Sequence, residues 1–145
     1  MKLLLIVVFS VVVAFVSDLQ AQVLENPEEA FRLSRETQKP LLLVFSGSDW
    51  CAPCIRFNKN VLSQEDFIHF ASDHFILLKA DFPQRKKLPD LIRQQNEKLA
   101  ERFNPTGLFP HILLLNPDES KKITLIYRNQ KSSEFISELS GYFSE

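Results

Sequence analysis

Two residues separate Cys51 from Cys54, the only cysteines in the chain. An apolar run, Leu41-Leu42-Leu43-Val44-Phe45, leads into them, and a helix-like segment, Cys54-Ile55-Arg56-Phe57-Asn58-Lys59-Asn60-Val61-Leu62, leads out. A Cys-x-x-Cys at such a strand-to-helix junction reads as a redox-active dithiol. Thiolate, not thiol, is the nucleophile in disulfide exchange. The first cysteine of a helix meets unpaired backbone N–H groups and the positive end of the macrodipole, which lowers the expected pKa of Cys51. Cys54 lies one turn on, on the same face, close enough to close a disulfide. Pro53 falls in the first helical turn, where its missing N–H costs nothing. Trp50 and Ala52 bring no charge, so the helix terminus is the expected activator.

The rest of the chain supplies elements to hold that junction. Asn26-Pro27-Glu28-Glu29 opens a helix with an N-cap, a proline and two acids in the first turn, and Lys39-Pro40 ends it. The strand 41–46 is almost wholly apolar, as a central strand covered on both faces should be. Ser63-Gln64-Glu65-Asp66 starts another helix, with Phe67, Phe70 and Ala71 inward. A strand over 75–82 is closed by Pro83. Leu88, Leu91, Ile92, Leu99 and Phe103 fall at helical spacing. Asn104-Pro105-Thr106-Gly107 is a turn. The run 108–115 is a second apolar strand broken by Pro110, a conflict that a cis bond at the strand's mouth resolves. After a turn at 116–119, the strand 123–128 is antiparallel to its predecessor. Ser132 or Ser133 caps a last helix with Phe135, Ile136, Leu139 and Tyr142/Phe143 inward. This order predicts an α/β chain with a mixed central sheet and helices on both faces.

The chain resembles the thioredoxin family. The match is Trp50-Cys51-Ala52-Pro53-Cys54 with its apolar strand, joined by Gly107-x-x-Pro110 far downstream. The familiar thioredoxin form has Gly where Ala52 stands, and the Ser-Gly-Ser-Asp-Trp-Cys lead-in looks like the secreted and periplasmic branch. The resemblance implies a thioredoxin-like fold and a thiol–disulfide oxidoreductase that exchanges disulfides with cysteine-containing exported proteins. It implies Cys51 as attacking and Cys54 as resolving cysteine. Pro110 is implied as the cis-proline beside the dithiol, with Trp50 and Phe109 flanking a bound substrate chain. Lys79 matches a strand lysine near the site. One departure stands out: the buried acid of the family's first strand falls near Val44 and Phe45, both apolar. Water, or His111, would then take the proton from Cys54.

Other readings stand beside these. The disulfide could be structural, within a thioredoxin-fold module that binds peptides or acts as a chaperone. A metal would need two ligands besides the cysteines, and His69, His74 and His111 lack suitable spacing. His111 and Trp50 could simply fill space, Phe109 could be core, and Lys79 and Arg85-Lys86-Lys87 could be solvated.

The 145 residues, 45% hydrophobic and 24% charged, suit one globular domain. A net charge of −1 gives no reason to propose nucleic acid as a partner. Neither an organic cofactor nor a metal is expected, only a redox partner that resets the dithiol, and a monomer. Lys2 precedes an apolar run over 3–16 in which only Ser10 is polar. That is the layout of a secretory signal peptide, with Leu19-Gln20-Ala21 before the cut. The expected division is a signal peptide over 1–21, or an uncleaved anchor in its place, and a thioredoxin-like domain over 22–145. Export to the periplasm or beyond follows.

Overall fold

The computed structural model describes residues 22–143. The expected signal peptide or anchor lies outside them. The elements run α1 (Pro27–Thr37), β1 (Leu41–Ser46), α2 (Ala52–Phe57), a π-helical turn (Asn58–Leu62), α3 (Glu65–His74), β2 (Ile76–Asp81), α4 (Asp90–Phe103), β3 (His111–Leu115), β4 (Lys122–Leu125) and α5 (Ser132–Ser140). The four strands form one mixed sheet in the order β2-β1-β3-β4. β1 runs parallel to β2 and antiparallel to β3, and β3 and β4 are antiparallel. No helix among the described residues is long and apolar enough to cross a membrane.

β1 is buried at every position, so its alternating side chains divide the core. Leu42 and Val44 join Phe57, Val61, Phe67, Ala71, Phe135 and Leu139 on the face covered by α2, α3 and α5. Leu41, Leu43 and Phe45 join Ala30, Leu99 and Phe103 on the face covered by α1 and α4. Asn26 caps α1 as the sequence predicts, its Oδ1 accepting the Glu29 N–H at 3.2 Å. Asp66 links two helices of the first face: its Oδ2 accepts the Ser132 hydroxyl at 2.6 Å.

Several expected boundaries move. β3 starts at His111, because Pro110 has no N–H to give a ladder and Phe109-Pro110 is a cis peptide. β4 ends at Leu125, short of Arg128, and Asn129 turns the chain at a φ of 62°. Lys131, not a serine, is the N-cap of α5, and its N–H is taken by Glu134 Oε2 at 2.9 Å. Leu88 precedes α4, and Leu91 points outward at 68% exposure. The inner face of α4 carries Asn96 instead, only 2% exposed. Tyr142 is exposed, while Phe143 packs on the core.

Candidate active site

β1 delivers the chain to the end of the sheet at Ser46, and α2 begins at Ala52. Cys51 is the N-cap of α2, extended at φ −86° and ψ 100°, with Pro53 in the first turn. The Cys54 N–H points at Cys51 Sγ, 3.2 Å away. The two sulfurs are joined as a disulfide with Cα atoms 5.2 Å apart. Both cysteines are buried, Cys51 at 5% exposure and Cys54 at 1%. Cys51 is therefore the less buried cysteine, and its sulfur is the one that a first-turn N–H of the helix approaches. On reduction the N–H groups of that turn favour its thiolate over the ordinary thiol, whose pKa is about 8.5.

Trp50, 38% exposed, lies over Gly47 and donates its indole N–H to the Phe82 carbonyl at 2.7 Å. Its ring meets Phe109 edge-on, with centroids 5.4 Å apart, and Phe109 meets Phe82 in the same way at 5.6 Å. Residues from the redox loop, the β2–α4 loop and the turn before β3 thus share one aromatic cluster. Asp49 accepts the Gln84 and Arg85 backbone N–H groups at 2.9 and 2.8 Å. Those N–H bonds, Gln84 first, hold its carboxyl below the usual carboxylate range.

The thioredoxin-like family profile matches residues 22–117. The chain belongs to the thioredoxin-like family. It is 30% identical over 115 residues to a disulfide bond reductase, DsbH, of Chlamydia pneumoniae, covering 79% of this chain and 69% of that one. It is 36% identical over 101 residues to the thioredoxin-related protein DsbJ of the same organism, covering 70% of this chain but only 28% of DsbJ. Among solved structures, a DsbH oxidoreductase superposes with a TM-score of 0.76 at 28% identity, covering 84% of this chain and 83% of that one. A thioredoxin from Thermus thermophilus, 17% identical, shares the fold with a TM-score of 0.61, over 86% and 88% of the two chains. With its Cys-x-x-Cys pair this thioredoxin-like chain is a thiol–disulfide oxidoreductase.

The residues singled out in the sequence divide into two groups. Cys51, Cys54, Trp50, Phe109 and Pro110 come together at one end of the sheet. Lys79 sits within β2 instead, and His111 reaches the aromatic cluster through the rings of Phe45 and Phe82, whose centroids are 6.4 Å apart. Lys79 is half-buried in β2 directly beside Val44, on the face that α2 covers. Of the two apolar residues where this thioredoxin-like chain lacks an acid, Val44 is thus the one next to the lysine. Phe45 faces the other side. His111 pairs with Phe45 across the sheet, and their rings are 6.0 Å apart, so its imidazole lies on the α1/α4 face. Burial holds the His111 pKa below 6.5, against an opposing backbone hydrogen bond with Phe103. It is neutral at pH 7.

Sequence reading missed Ser48, Asp81, Phe82 and Asn96. The available signal was Trp50 itself, because a packed indole N–H usually finds a partner. Gly47 is another. A Cβ there would lie 2.6 Å from Trp50 Nε1 and 2.7 Å from Cζ2. Gly47→Ala should therefore push the indole off Phe82 and Phe109, at about 1–3 kcal/mol. Trp50 is the only tryptophan, so its emission reports this directly. A red shift with slower exchange is expected, and an unchanged spectrum would contradict the packing argument.

Proposed function

We propose that this chain is an exported disulfide reductase, with residues 1–21 as its signal peptide and the remainder as its working domain. The observation that carries the reading is Cys51 at the N-cap of α2, disulfide-bonded to Cys54 and flanked by the Trp50–Phe109 contact. Cys51 thiolate attacks a substrate disulfide, forms a mixed disulfide and expels one substrate thiolate. Cys54 then attacks Cys51 Sγ, expels the second substrate thiol and leaves Cys51–Cys54 oxidised. An electron donor returns two electrons to restore the dithiol. Trp50, Phe109 and Pro110 hold the substrate chain. Water takes the Cys54 proton, since Val44 stands beside Lys79 and His111 lies on the far face. Cysteine-containing exported proteins are the substrates.

The reducing direction is supported by the likeness to a protein named a disulfide bond reductase. Equilibration against defined dithiol buffers tests it. A reduction potential near the thioredoxin value of about −270 mV is expected. A value near that of the oxidant DsbA, about −120 mV, would reverse the direction. A bond still resistant below roughly −300 mV would make the disulfide structural.

A further inference from the structure

The end of β2 and the loop that follows it are tied to the redox loop across 32 to 36 residues of sequence. Asp81 takes the Ser48 N–H on Oδ1 at 2.9 Å and the Ser48 hydroxyl on Oδ2 at 2.6 Å. The Phe82 carbonyl takes the Trp50 indole, and Asp49 takes the Gln84 and Arg85 N–H groups. Behind these bonds, Phe82 N–H donates to the Ser46 carbonyl at 2.8 Å, and Asn96 Nδ2 donates to the Asp81 carbonyl at 2.8 Å. The Asp81 backbone is thus anchored to both β1 and α4.

The Asp81 side chain is only 13% exposed, which is costly for a carboxylate unless its oxygens are satisfied. Lys86 offers little, at 3.8 Å and 63% exposed. The close partners both belong to Ser48, three positions before Cys51. Hydrogen bonds to an ionised acceptor are the strong ones. Both short bonds of this carboxylate run to the redox loop: Ser48 is fixed, and the Cys51 N–H donates to the Gly47 carbonyl at 2.9 Å beside it.

We propose that Asp81 is a positioning residue for disulfide exchange. Its carboxylate grips Ser48 and so holds Gly47–Trp50 in the arrangement that seats Cys51 on the first N–H groups of α2 and Trp50 against Phe109. The inference rests on Cys51 being the attacking thiol. Misplacing a reacting group by about 1 Å can lower a rate a hundredfold, so even a partial release of Ser48 is measurable.

The test compares Asp81→Ala, Asp81→Asn and Ser48→Ala in the purified protein. Two quantities are followed: kcat for reduction of a disulfide peptide, and the pH midpoint of iodoacetamide alkylation, with the modified cysteine identified by mass spectrometry. Asp81→Ala should lower kcat about tenfold and move the Cys51 midpoint up, because Sγ drifts from the helix N–H groups. Asparagine can still accept the Ser48 N–H and donate to its hydroxyl, so Asp81→Asn should stay within about threefold of the unaltered protein. Ser48→Ala keeps the backbone bond and should show a smaller effect of the same sign, which serves even if Asp81→Ala does not fold. Unchanged kcat and midpoint in Ser48→Ala and in folded Asp81→Ala would overturn the proposal, whatever the loss of thermal stability. Alkylation at Cys54 instead of Cys51 would overturn the assignment of the attacking thiol, a separate and distinguishable failure.

Discussion

Replacing Cys54 with serine should stall the reaction halfway and leave substrate covalently attached to Cys51. The attack needs only the sulfur at the α2 N-cap. The release needs a second thiolate within reach of it, and Cys54 is the only other cysteine in the chain. A serine hydroxyl stays protonated at neutral pH and does not displace sulfur. The Cys54→Ser protein should therefore accumulate mixed disulfides that survive a non-reducing gel and dissolve on adding a small thiol. Cys51→Ser removes the nucleophile that starts the cycle, so turnover should fall roughly a thousandfold or more. Both variants should keep the fold, because so short a loop restrains the unfolded chain little. Adducts trapped by Cys51→Ser instead would exchange the two roles. Ordinary turnover by Cys51→Ser would place the chemistry elsewhere.

The largest effect on stability is expected at Phe135. It is fully buried on α5 and touches Phe57 at 5.1 Å and Phe67 at 6.1 Å between ring centroids. One ring therefore joins α5 to the helix that follows the cysteines and to α3. Phe135→Ala removes the ring and leaves a cavity that three packed helices cannot readily close, a loss of about 3–5 kcal/mol. Domains of this size hold only about 5–15 kcal/mol in all. The midpoint of urea unfolding should drop steeply with an unchanged slope, and the melting temperature should fall by roughly 10–20 °C. A loss under about 1 kcal/mol would mean that the site relaxes around the missing ring.

Much of this was legible in the chain because it was written in short range. The strand-to-helix junction, the capping Asn26 and the apolar β1 each declare themselves within a few residues. Pro110 is a useful case: hydropathy runs unbroken through Leu108 and Phe109, but the missing N–H delays β3 to His111, with a cis bond before it. What stayed hidden depends on distance in sequence. Nothing near Asp81 announces that it will meet Ser48, and nothing near Phe82 announces a tryptophan. Helical spacing also misjudged α4. Leu91 suits an inner face by type, but Asn96 is the residue turned in, because the Asp81 carbonyl needs a donor there. Periodicity reads hydrophobic positions and is blind to a buried amide that serves one backbone group.

The π-helical turn behind the cysteines bears on how the family motif can vary in length. Ser63 N–H reaches back five residues to the Asn58 carbonyl, at 2.9 Å, where an α-helix would reach back four. This wider winding lets Val61 and Leu62 both enter the core while Cys54 and Phe57 stay buried upstream. Deleting one residue between Phe57 and Ser63 would restore ordinary winding with little net rotation, because five residues of the wider winding turn the chain about as far as four of an α-helix. The additional residue is therefore absorbed where it stands, between the sulfurs upstream and Val61 and Leu62 in the core. The stretch behind the dithiol can differ by one residue while the sulfurs keep the direction in which they look out.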